Sequence, residues 1–215
     1  MSSTASILPF VLVKLPWKHF KTITYHRRLV RKGCFHVGLY KQGICHDLSK
    51  YSPTEFIVGA KYFQGDRSPN NAEREEVGYS SAWLHHKGRN KHHYEYWIDY
   101  STRYVKGGMA PAPMPTRYII EMLMDRVAAC KVYNKDNYNT SNPWEYYSSG
   151  KDPAPLHEKT KEMLEMLLEM LALRGEDYTN QFIKREILSR TEVFDKPQNI
   201  EWVVNFCRQT REDMK

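Results

Sequence analysis

What most constrains this chain is an absence. Nowhere do apolar and polar residues alternate with period two long enough to define a strand. Half-buried strands carry that alternation, whereas amphipathic helices carry a 3.6-residue period. Here the apolar residues recur at helical spacing between Pro and Gly breaks, and an all-α fold follows. A first helix is expected from Trp17 to Lys32, with Pro16 at its start and Gly33 at its end. A second, short one fits Phe35 to Asp47. Ser52-Pro53-Thr54-Glu55 reads as a capping box opening a third, which ends before Gly65. After a loop over 65–71, helices are expected over 72–86, closed by Gly88, and over the aromatic stretch 92–104. Gly107 to Pro115 is a loop, and a long apolar helix runs from Pro115 to Tyr133. Residues 134–155 are polar and broken. Helices over about 156–174, 179–190 and 198–213 complete the chain.

The charge is uneven. Of the formal +7, the first 46 residues supply eight Lys or Arg and no acid, so the rest sums to −1. A basic end points to a local anionic partner such as phosphate, and no recognised nucleic-acid motif accompanies it. The four cysteines (Cys34, Cys45, Cys130, Cys207) form no CxxC pair and read as buried thiols in a reducing cytoplasm. The apolar stretch Ile7–Leu15 is interrupted by Pro9 and Lys14 and followed by Pro16. It is far short of the ~20 residues that span a bilayer, and no small-residue cleavage site follows. A cytoplasmic location without a membrane partner is therefore expected.

Nine histidines carry the chemical signal. His19 and His26 lie seven apart on one face of the first helix. His46-Asp47 opens the string HDLSK. His85, His86, His92 and His93 fall within nine residues. Asp125 lies inside the apolar helix, sharing a face with Tyr118, Met122, Ala129 and Val132, and Glu121 stands one turn before it. A carboxylate on an apolar stripe must be paired or bind a metal, because its desolvation is costly. Each element has a plain reading: a salt bridge for Asp125, a satisfied core histidine for His26, a solvated basic face for the cluster. Their order along successive helices favours one shared metal site. Imidazole and carboxylate together suit divalent Mn, Fe, Zn, Co or Mg.

That order, His26, then His46-Asp47, then Asp125, resembles the HD-domain superfamily of metal-dependent phosphohydrolases, and HDLSK is similar to a variant found in several of its branches. HHKGRN is similar to the double histidine of the cyclic-dinucleotide phosphodiesterase branch but lacks the Gly-Tyr-Pro that would follow there. The strings HFKTITYHR, GLYKQGICHDLSKYSPTEF, YFQGDRSPNNAERE and AWLHHKGRNKHHYEYW resemble an uncharacterised bacterial family. The resemblance covers about residues 17–135. It implies an HD-like helical bundle over 16–135, after an N-terminal extension (1–15) and before a C-terminal helical extension (136–215) packed on the same domain. It implies one or two divalent ions, with His26, His46, Asp47 and Asp125 around one. One or two of the clustered histidines, His86 and His93 by preference, would serve a second ion that Asp47 bridges.

The implied activity is hydrolysis of a small phosphorylated compound such as a nucleotide. Asp47, Lys50 and Arg89 would be catalytic. Lys50, Lys87, Arg89, Asn90 and Lys91 would bind substrate, although each basic residue could equally be a solvated surface charge. Asn90, Tyr51 and Glu55 could orient ligands, and Tyr94, Tyr96 and Trp97 could stack on a base or belong to the core. Two other classes stay open: a di-iron HD-type oxygenase, and a binding module that keeps metal for structure alone.

Overall fold

The computed structural model describes residues 8–101, 108–150 and 155–215, and side chains from residue 15 onward. The fold is all-α apart from one small ribbon. Helix α1 spans Leu8–Val37. Residues 8–15, assigned from sequence to an extension, are thus its first turns, and it continues past Pro16 and Gly33. Gly33 is not a terminator but a point of close approach: a Cβ there would lie 2.8 Å from Met124 Sδ on α6 (Thr116–Asn134). The helix ends instead at Gly38, whose φ of +91° only glycine adopts freely. Helix α2 (Tyr40–Cys45) runs directly into His46-Asp47, and a single 3-10 turn, Leu48–Tyr51, follows.

Helix α3 is Pro53–Lys61, with Ser52 before it and Pro53 at its first position, as the sequence indicates. The capping box does not form. Ser52 makes no side-chain cap, and the Glu55 carboxylate is engaged by His85 and His86. The helix expected over 72–86 is two helices, α4 (Pro69–Val77) and α5 (Ser81–Lys87), and α4 begins inside the expected loop. Gly78 (φ +86°) breaks them apart. Buried Glu73 braces the break by accepting from Ser80 Oγ (2.5 Å), Ser81 Oγ (2.6 Å) and Ser81 N (3.0 Å). Ser80 in turn caps α5 through Trp83 N.

The aromatic segment after His92 is not helical over the described residues. A 3-10 turn (Tyr94–Trp97) leads to strand β1 (Ile98–Tyr100), which pairs antiparallel with β2 (Met109–Pro111) in register Asp99 with Ala110. Two strands of three residues are too short for alternation to show, so the ribbon escapes the sequence reading. Helix α6 matches its expected span.

Beyond it come α7 (Asn142–Ser148), α8 (Glu158–Phe182, broken at Gly175 with φ +79°), α9 (Thr191–Phe194) and α10 (Ile200–Asp213). One apolar cluster joins Val30 and Cys34 of α1, Ile120 and Leu123 of α6, Leu167 of α8, Phe194 of α9 and Val203 of α10. Helix α6 is thereby clamped between α1 and the C-terminal helices. Its N-terminus is capped from far along the chain: Thr116 N and Oγ1 donate to Asp195 Oδ1 at 2.7 and 2.6 Å, and buried Lys159 pairs with the same oxygen at 3.0 Å. Local sequence supplies only Pro115 there, which has no side chain to cap with.

His19 lies on the inner face of α1, as its spacing from His26 indicates, but it packs rather than ligates. Its ring sits against Phe56 and Phe63, and a Cβ on Gly59 would collide with it. Burial, and then Lys50, push its pKa down to about 4. Gly59→Ala should therefore destabilise by about 1–3 kcal/mol, despite the better helix propensity of Ala, because the ring has nowhere to move. Adding His19→Ala should remove most of that penalty in a double-mutant cycle read by denaturant unfolding. A histidine kept neutral by the fold contributes stability that is complete above its unfolded pKa of about 6.5 and declines as pH falls toward 4. Over that window, His19→Leu should flatten the dependence of unfolding free energy on pH relative to wild type.

Candidate metal centre

His46 and Asp47 terminate α2 in an unusual backbone. Asp47 has φ +51° and ψ +28°, a left-handed conformation that few non-glycine residues adopt, and it is wholly buried. Arg27 on α1 holds this turn, donating from Nε to the His46 carbonyl (2.7 Å) and from an η nitrogen to the Ile44 carbonyl (3.0 Å). The strain aims the Asp47 carboxylate into a cage of histidines. Oδ2 lies 3.3 Å from His46 Nε2 and 3.9 Å from His26 Nε2. Oδ1 lies 3.1 Å from His86 Nε2 and 3.4 Å from His92 Nε2. Asp125, from α6, reaches His26 Nε2 at 2.8 Å and His46 Nε2 at 3.4 Å. His93 Nε2 is 2.9 Å from His86 Nε2.

Three groups result, each able to hold a metal ion: His26, His46, Asp47 and Asp125; Asp47, His86, His92 and His93; and His46, His92 and Glu121. Within each, the ligand atoms lie within 4.8 Å of one another. Two metal bonds of about 2.1 Å at tetrahedral or octahedral angles put ligand atoms about 3.0–3.4 Å apart, close to these separations. A second observation supports the fit. Among the described residues, His46 Nε2, His92 Nε2 and both Asp47 oxygens are buried without a hydrogen bond. Apart from the Lys50 ion pair at Asp47 Oδ2, these converging buried polar atoms cost free energy unless something charged satisfies them.

The surrounding shell fixes the rings. His86 Nδ1 meets Glu55 Oε2 at 2.7 Å, and His46 Nδ1 meets Glu121 Oε1 at 2.9 Å. Burial would raise the carboxyl pKa values, yet His46, Lys50 and His86 hold Asp47 well below the usual range, and the hydrogen bond from His26 and the neighbouring His46 imidazole do the same for Asp125. Burial would lower His46, but the Asp47 charge, the nearby Asp125 carboxylate and the hydrogen bond to Glu121 lift it well above its ordinary value. For His26 and His93 burial prevails and the pKa falls, which keeps both rings available as neutral ligands. Lys50 is the cation at the cage: its Nζ lies 2.5 Å from Asp47 Oδ2 while its side chain keeps partial exposure.

The structure thus brings together His26, His46, Asp47, Lys50, His86, His93 and Asp125, all named from the sequence. It adds His92, and it adds Glu121, which stands behind the His46 and His92 rings at their Nδ1 atoms and forms the third group with them. His85 is excluded, because its Nδ1 turns to the other oxygen of Glu55 (2.7 Å). The four clustered histidines look alike in sequence; adjacent positions on α5 send His86 inward and His85 to Glu55, and the turn after α5 brings His92 and His93 inward.

Several expected substrate contacts take other partners. Asn90 is buried, donating to Ser49 Oγ (2.9 Å) and the His86 carbonyl (2.8 Å), so it braces α5. Lys91 lies over the Tyr96 ring (5.5 Å). Exposed Arg89 donates to the His85 carbonyl (3.3 Å) rather than to any cluster carboxylate. Half-buried Lys87 has no ion pair to the cluster among the described residues. Tyr51 bonds Thr24 and lies under Arg27, away from any orienting role. Tyr94 and Trp97 pack on the core, while Tyr96 is partly exposed. Of the thiols, Cys34 and Cys207 are buried, Cys130 is half-buried and Cys45 is exposed; all four are free.

The fold and cage define an all-α protein with buried His/Asp groups able to hold metal. Residues 15–170 match DUF5662, a family of unknown function, and the chain belongs to that family. No curated protein and no solved structure matches it. Among the described residues no helix is long and apolar enough to cross a membrane.

The division of labour among the clustered histidines is open to test by titrating metal into variants. His92→Ala should weaken Mn²⁺ binding by at least the ~10–100-fold that loss of an outer partner costs, and as much as His86→Ala does. His85→Ala should change it only a few-fold.

Proposed function

We propose that this protein is an HD-type metal-dependent phosphohydrolase acting on a small phosphorylated compound such as a nucleotide. The observation that carries the reading is the Asp47 carboxylate, which turns one oxygen to each of the two four-residue groups. In chain order His26, His46, Asp47 and Asp125 follow the pattern of the superfamily that the sequence resembles, and their convergence on one point supports the reading. His86, His92 and His93 would hold a second ion beside the first. Divalent ions bound there would supply a Lewis acid and a water acidified toward neutral pH.

The chain's own residues supply the rest. Asp47 and Asp125 stay ionised in a buried cage. Glu55 and Glu121 hold imidazole rings with Nε2 facing inward. Lys50, ion-paired to Asp47 and partly exposed, is the cation placed to meet a phosphoryl oxygen. Lys87 ends α5, and Arg89 and Lys91 follow it closely in sequence, so their positive charge lies near the ligands along the chain. Four free cysteines fit a reducing compartment.

A second reading has its own support: five histidines against two carboxylates in the inner groups also suit a pair of irons in a di-iron oxygenase. Elemental analysis of protein purified without added metal separates the two. Bound iron with reductant-dependent oxygen uptake, and no phosphate release, favours the oxygenase.

For the hydrolase, Mn²⁺-loaded protein screened over nucleotides and sugar phosphates should release phosphate. Asp47→Asn should abolish release, and Lys50→Met should slow it by about 100-fold, the scale for losing one group that stabilises transition-state charge. Metal-loaded wild type that releases no phosphate, with a metal-dependent rise in Tm that Asp47→Asn loses, would instead favour a structural role for the metal.

A further inference from the structure

The side chains behind the histidine rings divide unevenly between the two groups. Glu55 serves only the second, with Oε2 on His86 and Oε1 on His85. Glu121 is placed differently. Its single oxygen Oε1 lies 2.9 Å from Nδ1 of His46, in the first group, and 3.2 Å from Nδ1 of His92, in the second. The two rings sit 4.4 Å apart, centroid to centroid, at 38°. Each directs Nε2 at Asp47, His46 toward Oδ2 (3.3 Å) and His92 toward Oδ1 (3.4 Å), and both Nε2 atoms are buried without a hydrogen bond. A histidine can ligate through Nε2 only if its proton sits on Nδ1, and an acceptor at Nδ1 enforces that tautomer while fixing the ring plane. Glu121 is itself 5% exposed and lies one helical turn from Asp125, so α6 supplies both a direct group member and this acceptor.

We infer that Glu121 is a positioning residue shared by both metal positions: one carboxylate oxygen sets the tautomer and tilt of one ligand in each. The inference rests on the two-ion reading above. Affinities at the two positions therefore depend on the same side chain, although no inner-group residue other than Asp47 is common to them.

The test uses Mn²⁺ binding to the full chain, measured calorimetrically. His26→Ala leaves only the second group complete, and His93→Ala only the first. Glu121→Gln keeps size and shape but offers a weaker, uncharged acceptor. It should lower Mn²⁺ affinity about 10–100-fold in both backgrounds, the range for outer partners of ligating histidines. Glu55→Gln should do so only in the His26→Ala background. Weakening by Glu121→Gln in one background alone, or in neither, overturns the shared role. Wild type that takes up no Mn²⁺ overturns both this and the metal-centre reading, so the two failures are distinct.

Imidazole nitrogen spectra of Zn²⁺-loaded protein give a readout that a merely structural residue would not move. The Nδ1–H signals of His46 and His92 should shift together in Glu121→Gln, with His86 unmoved. Should that variant not fold, the loaded wild type decides the matter: Nε2 ligation with protonated Nδ1 on both His46 and His92 supports the inference, and Nδ1 ligation on either overturns it.

Discussion

A buried, ionised carboxylate at Asp47 is the constraint on which the rest of this structure depends. An isolated carboxylate in a protein interior would protonate or expel itself toward water. Asp47 does neither because His46, Lys50 and His86 crowd it with positive charge and His92 stands beside the same oxygen as His86. That arrangement requires residues from the α2 turn, from α5 and from the turn after α5 to meet at one point. It also requires a left-handed backbone at Asp47, which the Arg27 guanidinium stabilises by gripping two carbonyls of the same turn. The short, broken helices α2 to α5 follow from this geometry. Long straight helices could not bring the histidines of α5 and its following turn onto a carboxylate that faces α1 and α6.

Around that centre, the helix packing keeps the ligands at fixed distances. Helix α6 carries Asp125 into the cage and Glu121 behind it, so its axial position matters to a fraction of an ångström. Two devices set it. Gly33 lets α1 approach Met124 closely, and Asp195 caps α6 from the C-terminal region. The C-terminal helices thus serve the cage indirectly, by burying the opposite face of α6 in the common core. Part of this region lies beyond the family match at residue 170, yet its Asp195 satisfies an α6 terminus that the family segment leaves bare.

Much of the fold was legible because helical periodicity and Gly/Pro punctuation are local. Helix α6 and the span of α10 follow from pattern alone. Several of the errors share one cause, namely residues whose local preference was overridden by a distant partner. Gly33 reads as a stop until Met124 is placed beside it. Glu55 reads as a helix cap until His85 and His86 arrive to claim it. Glu73, unremarkable in sequence, holds two serines across a helix break. The two three-residue strands after Trp97 are shorter than any periodic signal.

For the site, the sequence by itself determined the donor set: His26, the His46-Asp47 pair, the histidine cluster and an acid on an apolar helix stripe, since burying such an acid demands a partner. Which donors meet was a tertiary decision. His85 and His92 are indistinguishable by residue type and neighbourhood, yet one turns outward to Glu55 and the other inward to Asp47. Arg89 and Lys91 carry the right charge but take a carbonyl and aromatic rings as partners, whereas Lys50 reaches the cage. Residue chemistry is written in the chain one position at a time. The direction of a side chain depends on backbone turns and on packing against residues up to a hundred positions away, and only the folded structure holds that information.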